Sequence, residues 1–427
     1  MIKLFFCTLG VLALIAAAST LVTPSLSQQK WVEQAKLGLP RGLEYFGEDI
    51  AIDKDTAVIG ARGYRESSQN RYYKGAAFVY THSRSSWSRQ AKLLVPPTLT
   101  SKYNSFGSSV AIDNDTILLA ANSLSDENPL NVPLFVFTRS GNTWARLAQL
   151  ALPHAPKFKV FINSIALKGD TAVATASEGP LVFHRNKDTG TWSYEATLER
   201  PTPSNKQCNY FRFDIPYFGK SVAIDGDTII VNGGGRVNCP YAYVFVRNTA
   251  TRSWSLQAEL TPHPKEFVYA TTVALSGNTA VVGYPGDDRE RGAAYVYERD
   301  PNTNRWSKQV KLVPNDVPPL LTYGFGASVA IDGNTIVVGS SRHAIQAILL
   351  PSQIQKAAYV FVRRPGTSIW SQPAKLIPRD YNKYVAQFYG QRVDVSGERA
   401  IVNVGSSFNT VVYIFQRVDS QNSADQR

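Results

Sequence analysis

The sequence predicts an all-β repeat fold, and three observations lead to that prediction. Its seven tryptophans open one pattern, W-x-x-x-A-x-L, with valine replacing alanine once. Their spacing of 48 to 64 residues is a period typical of solenoids, propellers and arrays. Between them lie short apolar segments separated by turn dipeptides such as Gly-Asp and Gly-Asn, which indicate antiparallel strands. The tryptophans are Trp31, Trp87, Trp144, Trp192, Trp254, Trp306 and Trp370.

One unit shows the four predicted strands in order. Residues 221–225 alternate small and branched apolar side chains, and Gly226-Asp227 reads as a two-residue hairpin turn. Residues 228–231 are continuously apolar, and residues 241–246 alternate aromatic with aliphatic side chains. Residues 254–260 carry the tryptophan pattern. Four antiparallel strands in a unit of this length are typical of a propeller blade.

The number of units predicts how the chain closes. Six units have four strands, the seventh ends without a tryptophan strand, and the tryptophan strand at residues 31–37 precedes the first unit. We therefore expect a seven-bladed β-propeller of four-stranded antiparallel blades, closed by the N-terminal strand in blade seven, which hides the sheet edges and favours a monomer. This single domain, 28–427, has predicted blades at residues 44–95, 104–152, 159–200, 217–262, 267–314, 323–378 and 387–418, and a polar tail at 419–427.

Two charged residues mark the expected contact between blades one and seven. Most units carry serine or threonine at the start of the first strand, but blades one and seven carry Asp49 and Arg392. Opposite charges in neighbouring blades either form an ion pair or are solvated independently, and the sequence leaves both readings open.

The N-terminus predicts export. Lys3 precedes an apolar run that ends in small residues, so we interpret residues 1–27 as a cleaved signal peptide, with an uncleaved anchor as the alternative. The protein is then secreted, extracellular or periplasmic, and possible retention at a surface stays open. We expect no transmembrane segment in the mature chain.

The net charge limits the classes of partner to expect, and the cysteine content predicts a disulfide. Removing the signal leaves 44 basic and 33 acidic side chains, or +11, a balance that favours anionic partners. Export argues against nucleic acid. Cys208 and Cys239 lie in one unit and remain after cleavage, so an oxidising compartment predicts a disulfide between them, with two free thiols as the alternative.

The repeat resembles the FG-GAP repeat. Phe46-Gly47 opens a first strand and Gly60-Ala61 ends the following one, and Phe325-Gly326 is followed in the same way by Gly339. The resemblance covers almost all of the mature chain. It is close to the repeats of secreted and surface proteins of bacteria and algae and more distant from the seven-bladed propeller that heads integrin alpha chains, and it implies a role in adhesion or recognition. Blades three and five depart from the pattern, since Phe161-Ile162 and Tyr269-Ala270 replace Phe-Gly.

Calcium does not carry over from the family. Many members bind it in an acidic loop between the first and second strands, but here that loop is a two-residue turn. Calcium takes six or more oxygen ligands, which one short hairpin cannot supply. We expect no metal and no cofactor.

The sequence shows no catalytic motif. It lacks the H-E-x-x-H, G-x-S-x-G and phosphate-loop patterns, and its five histidines are scattered. We therefore expect a non-enzymatic protein, with a propeller hydrolase or lyase as the less favoured alternative.

Variable loops carry the candidate ligand-binding residues. The longest loops share one face, and variable loops on a rigid scaffold are where binding concentrates. Arginine and tyrosine there suit an acidic glycan or an acidic protein, while a lectin-like module with a sugar pocket in each blade is the alternative. The candidates are Arg62, Tyr64, Arg65, Arg71, Tyr72, Tyr73, Arg236, Arg289, Arg342 and Tyr381.

Overall fold

The computed structural model of the protein is all-β. Apart from the strands, regular structure in the described residues is limited to a 3-10 turn at Pro97–Leu99 and a helical turn at Asp287–Glu290. The predicted fold class is confirmed at this level. The described residues are 30–38, 44–65, 74–123, 131–153, 161–176, 179–202, 204, 218–233, 242–261, 272–316, 324–340, 357–371, 373–380, 388–406 and 409–418.

The strands are short, because each is bounded by a tight turn or a loop. In chain order they are β1 (Lys30–Leu37), β2 (Glu44–Asp53), β3 (Thr56–Gly63), β4 (Ala76–Ser83), β5 (Ser86–Leu93), β6 (Tyr103–Asn104), β7 (Val110–Asp113), β8 (Thr116–Ala120), β9 (Asn122–Ser123), β10 (Asn131–Ser140), β11 (Thr143–Ala151), β12 (Ser164–Lys168), β13 (Thr171–Ala176), β14 (Gly179–Arg185), β15 (Trp192–Thr197), β16 (Val222–Asp225), β17 (Thr228–Asn232), β18 (Ala242–Arg247), β19 (Trp254–Leu260), β20 (Thr272–Ser276), β21 (Thr279–Tyr284), β22 (Ala293–Arg299), β23 (Trp306–Leu312), β24 (Phe325–Asp332), β25 (Thr335–Ser340), β26 (Ala358–Val362), β27 (Ala374–Leu376), β28 (Phe388–Ser396), β29 (Arg399–Ser406) and β30 (Asn409–Val418).

Antiparallel pairing arranges these strands in groups of four. Group 1 is β2–β5; group 2 is β7, β8, β10 and β11; group 3 is β12–β15; group 4 is β16–β19; group 5 is β20–β23. Group 6 is β24–β27, and group 7 is β28–β30 with β1; a single pair, Ser340 with Tyr389, joins them into one larger sheet. Strands β6 and β9 pair separately.

The N-terminal strand lies beside the last strand. β1 pairs antiparallel with β30, from Lys30 opposite Val418 to Leu37 opposite Val412. β1 therefore takes the outer position in group 7 that the tryptophan pattern predicts for it, next to strands separated from it by most of the chain.

Hydrophobic side chains are buried between successive groups. Val79 of group 1 shares one buried cluster with Leu119 of group 2. Phe78 of group 1 likewise shares a cluster with Ile401 and Ile414 of group 7. We call the contact between groups 7 and 1 the seam. Groups 7 and 1 are therefore joined by the same kind of apolar packing as groups 1 and 2.

The tryptophans link neighbouring groups by hydrogen bonds. Their indole Nε1 atoms donate to a Gln or Glu three residues after the tryptophan of the preceding group, because this position faces the next outer strand. Trp87 bonds Gln34 at 2.9 Å, and Trp144–Gln90, Trp254–Glu195 and Trp306–Gln257 are each 2.8 Å.

Three tryptophans lack this bond among the described residues. The buried Nε1 atoms of Trp31, Trp192 and Trp370 have no hydrogen-bond partner there. For Trp192 the facing position is Leu147, a side chain that cannot accept a hydrogen bond. An accepting side chain at this position is needed but does not suffice, since for Trp370 the equivalent residue is Gln309, whose amide donates to Ser307 Oγ at 2.8 Å instead.

Glycines permit close backbone contact between groups. A Cβ at Gly60 would lie 2.1 Å from the carbonyl oxygen of Gly107, and one at Gly339 would lie 1.9 Å from that of Gly390. These distances are too short for any side-chain atom. At the seam, the strand position of Gly60 and Gly339 is taken by Asn403, whose side-chain Nδ2 donates to the Gly47 carbonyl at 2.9 Å.

Candidate ligand-binding surface

The strand order gives the molecule two different faces. In each group the first strand runs toward a two-residue turn, and the connection between the second and third strands lies at the opposite end. We call the end with these turns the turn face and the other end the loop face. The first turn residue has positive φ, for example 51° at Lys54 and 55° at Gly226, as primed hairpin turns require.

The first strands of all the groups line one central cavity. It has a volume of about 390 Å³ and extends from residues such as Asp49, Lys220 and Arg392 at the loop face to Asp53 and Lys168 at the turn face. Seven separate segments of the chain thus converge on this space.

Side chains at the turn end of the cavity bind the next group. The Asp53 carboxylate accepts the backbone N–H of Asn114 at 2.7 Å, and Asp113 accepts that of Gly169 at 3.0 Å. At the seam, Ser396 accepts the N–H of Lys54 at 2.9 Å. These aspartates, which resemble metal ligands in sequence, therefore hold turns in place. Within the described residues no group of three potential ligands could hold a metal ion.

Asp49 and Arg392 form the ion pair that was one of the two sequence-based readings. Arg392 Nε lies 3.2 Å from Asp49 Oδ1. The other carboxylate oxygen accepts Ser109 Oγ at 2.7 Å and the Val110 N–H at 2.8 Å. Asp49 is thus bonded to both neighbouring groups at the loop end of the cavity.

A second acidic residue of the seam has a displaced pKa. Asp394 Oδ2 accepts the backbone N–H of Ile52 at 2.8 Å. Burial raises the pKa of Asp394 to about 7, although the amides of Ile52 and Val395 oppose the rise. Because the folded-state pKa exceeds the value near 3.9 in an unfolded chain, ionisation of Asp394 disfavours folding.

Arg62 lies on the loop face beside an aromatic ring. Its guanidinium lies 4.7 Å from the centre of the Tyr45 ring, and its Nε lies 2.5 Å from Glu48 Oε2. Burial raises the pKa of Glu48, and the positive charge of Arg62 opposes that rise. The Arg62 side chain keeps 41% of its surface exposed, so it can contact a ligand while Tyr45 and Glu48 fix its position.

Tyr64 packs into the edge of the core. Its ring contacts Phe78 edge-to-face at 5.6 Å, and Lys92 Nζ lies 3.1 Å from its hydroxyl oxygen and 5.1 Å from its ring centre. The neighbouring Arg65 is half-buried and interacts with another part of the protein. The described ends of this loop thus bring two aromatic–cation pairs, Tyr45–Arg62 and Tyr64–Lys92, to the same face.

Arg289 lies in a different loop, between β21 and β22. It is exposed and has a φ of 56°. The loop is anchored by Asp287, whose carboxylate accepts the Tyr295 hydroxyl at 2.7 Å and pairs with Lys311 Nζ at 2.7 Å. Among the described residues, no hydrogen bond or ion pair joins Arg289 to Arg62.

The remaining predicted residues lie outside the described part of the chain, so their predictions stand untested. They are the loop candidates Arg71, Tyr72, Tyr73, Arg236, Arg342 and Tyr381, and the predicted disulfide partners Cys208 and Cys239.

The sequence reading missed a set of structural arginines. Arg139, at the turn-face end of its third strand, bonds Asp115 at 2.7 Å and reaches Thr56 of the preceding group at 3.1 Å. Arg185 repeats the arrangement, with Asp170 at 2.7 Å. The signal was present in the sequence, because arginines precede four tryptophans by seven residues: Arg185, Arg247, Arg299 and Arg363. Part of the positive charge therefore supports the fold.

The degenerate third repeat exposes its aromatic residue. Phe161 is 49% exposed, whereas Phe46, Phe106 and Phe325 are buried. Glycine follows each buried phenylalanine with φ between 77° and 91°, a conformation that β-branched Ile162 disfavours. Ile162 is buried instead. The corresponding Tyr269-Ala270 lies outside the described residues.

These sheets and glycine contacts define a repeat protein of the β-propeller type. In a comparison of sequences, the FG-GAP repeat model matches residues 31–80, 254–297 and 306–361, so these three parts of the chain carry FG-GAP repeats. A search of curated proteins finds no match.

Solved structures of similar shape include two with low sequence identity. A protein from Lactobacillus plantarum is 12% identical with a TM-score of 0.47, and the alignment covers 77% of this chain and 84% of that one. Sqt1 from Saccharomyces cerevisiae is 11% identical with a TM-score of 0.47, covering 91% and 100% of the two chains.

The described residues contain no helix with the length and hydrophobicity needed to cross a membrane.

Proposed function

We propose that the groups of strands are seven blades of one closed propeller. The β1–β30 pairing, the buried cluster across the seam and the Trp87–Gln34 bond support this proposal. A closed ring accounts for these contacts, because an open array would leave the seam side of group 1 and the outer edge of β30 exposed.

We propose that the loop face binds an anionic macromolecule, an acidic glycan or an acidic protein surface. The observation that carries the proposal is the pair of aromatic–cation contacts, Arg62 on Tyr45 and Lys92 on Tyr64. An aromatic ring holds the long cation in place, which lowers the entropy cost of binding an anion. The FG-GAP repeat itself suggests a binding or adhesion module.

We further propose that the protein is secreted, with residues 1–27 removed, and that binding occurs without catalysis. The apolar N-terminal run supports export, and the FG-GAP repeat is typical of extracellular and surface proteins. Scattered histidines and the lack of a catalytic motif in the sequence support a non-enzymatic role. The Cys208–Cys239 disulfide remains part of this proposal.

The test measures binding of residues 28–427 to sulfated, carboxylated and neutral polysaccharides and to an acidic protein. Changing Arg62→Ala together with Arg65→Ala should weaken binding of the anionic ligand by about tenfold or more, because one charge-assisted contact contributes about 1.5–3 kcal/mol. The matched control, Arg146→Ala with Arg305→Ala, removes two exposed arginines elsewhere.

Rising salt should weaken binding as well. Equal affinity for neutral polysaccharides would instead favour the lectin-like alternative. Equal losses in the two double variants would refute the assignment to the loop face.

A further inference from the structure

The central cavity carries unequal chemistry at its two ends. At the loop end the charged lining residues are Lys220, Arg392 and Asp49, and Asp49 is already bonded by Arg392, Ser109 and Val110. The negative charge of Asp49 is therefore largely balanced by this ion pair and these two hydrogen bonds. The formal sum of these three charges is +1.

The turn end has the opposite sign. Asp53, Asp113, Asp225 and Asp332 lie there with Lys168, which gives a formal sum of −3, and one further carboxyl group, that of Asp394, lines the cavity between the two ends. Lys168 Nζ is 3.0 Å from Asp113 Oδ1. The electrostatic field of the cavity therefore favours a ligand whose negative group lies at the loop end, away from the acidic turn end.

Serine hydroxyls add hydrogen-bond donors at the loop end. Ser164, Ser221 and Ser328 each accept a backbone N–H from the following group, at 3.4, 3.1 and 3.0 Å respectively. A hydroxyl that accepts an amide can still donate its own proton. All three line the cavity, so their O–H groups are available to an oxyanion or to sugar hydroxyls.

Size limits the ligand. The cavity of about 390 Å³ falls near the lower end of small-molecule sites, which run from about 300 to 1,000 Å³. A polymer cannot enter it, but a single sugar ring can. Many hydroxyl donors, one guanidinium and a polar lining suit a polyhydroxylated carboxylate.

We propose that the loop end of the central cavity binds a single carboxylate-bearing sugar, of the size of a hexuronate, with its carboxylate toward Arg392 and its hydroxyls toward the serine side chains. This site is distinct from the loop residues of the proposed macromolecular surface. The sugar is either free or the end of an acidic chain.

The test is calorimetric titration of residues 28–427 with glucuronate and with glucose. Glucuronate should bind saturably, and glucose at least tenfold more weakly. Arg392→Gln should raise the dissociation constant of glucuronate by about tenfold or more, which corresponds to about 1.4 kcal/mol. The matched control is Lys168→Gln, since Lys168 also lines the cavity and pairs with an aspartate, but at the turn end; its change should stay within about twofold.

A second measurement uses the unaltered protein, because Arg392 also supports the seam. Burial lowers the pKa of Lys220, which increases the unprotonated fraction of this amine that reacts with acetylating reagents. Glucuronate should slow acetylation of Lys220, followed by mass spectrometry, while glucose should not. Equal titration by both sugars, equal effects of the two variants, or unchanged Lys220 acetylation would overturn the proposal.

Parallel binding of an acidic polysaccharide separates this site from the loop-face proposal. Glucuronate binding that requires Arg392, without polysaccharide binding, would retain the cavity site and reject the loop face. Polysaccharide binding that requires Arg62 and Arg65, without glucuronate binding, would do the reverse. A polysaccharide that binds through a terminal uronate should lose affinity when its chain ends are removed or reduced.

Discussion

Replacing Leu147 by glutamine should stabilise the protein, because it supplies a missing hydrogen-bond acceptor. Gln90, in the equivalent position one group earlier, accepts the Trp144 indole at 2.8 Å. Trp192 has a buried Nε1 without a partner among the described residues, and the position equivalent to Gln90 in the preceding group is Leu147. Leu147 is 49% exposed, so the new side chain has space.

The expected gain is a difference of two terms. A buried polar group without a partner costs about 1–3 kcal/mol. Glutamine has two fewer apolar carbons than leucine, and at half burial their loss costs about 0.8 kcal/mol. Leu147→Gln should therefore raise the free energy of unfolding by about 1 kcal/mol. The reciprocal variant, Gln90→Leu, leaves the Trp144 indole without its acceptor and should lower it by about 1–3 kcal/mol.

Urea denaturation of residues 28–427 measures both changes, and an unchanged dependence on urea concentration shows that the unfolded states are comparable. The control is Leu256→Gln, since Leu256 is 41% exposed in another outer strand and is not at the position that faces an indole. This control should lose about 0.8 kcal/mol. If Leu147→Gln and Leu256→Gln change stability equally, the indole hydrogen-bond ladder does not determine the stability of the outer strands.

Three further predictions concern the contacts between groups. Gly339→Ala places a Cβ 1.9 Å from a carbonyl oxygen and should cost about 3 kcal/mol of unfolding free energy, whereas Gly38→Ala, with open space around it, should change it little in the same denaturation assay. Because the pKa of Asp394 is raised to about 7, the folded state binds more protons than the unfolded state between about pH 4 and 7. The contribution of Asp394 to the free energy of unfolding therefore falls by up to about 1.4 kcal/mol per pH unit as the pH rises through that window. Asp394→Asn should remove this part of the pH dependence, and an unchanged pH profile of stability would contradict the prediction. Deleting residues 29–37 removes β1 and leaves the edge of β30 unpaired, so light scattering should detect aggregation; a soluble, cooperatively unfolding deletion would contradict the closed ring.

Local regularities made the strands predictable. The Trp-to-Leu spacing, the alternating segments and the two-residue turns each depend on residues near one another in sequence, and the tryptophan spacing placed β1 beside the last strand. The repeated glutamine was also visible in the sequence, since Gln34 and Gln90 lie three residues after Trp31 and Trp87. Its role could not be predicted, because the indole N–H that the glutamine accepts belongs to the next repeat.

The candidate surface was predictable only in part. Composition indicated basic, tyrosine-rich loops, but not that Tyr64 packs against Phe78 or that Arg139 bonds Asp115 and Thr56. Whether a side chain contacts protein or solvent depends on distances between strands, both within one group and between groups, and the spacing of the repeats does not give these distances.

By itself, the sequence determined the all-β class, the order of strands in each repeat and the place of the N-terminal strand, because backbone pairing and turn formation follow from local side-chain patterns. The tertiary structure alone decided how charge is distributed. It directed Asp53 and Asp113 to backbone amides, joined Asp49 to Arg392, and gave the central cavity a donor-rich loop end and an acidic turn end. Electrostatic preference depends on separations in space, and residues more than 300 positions apart become neighbours only when the sheets assemble.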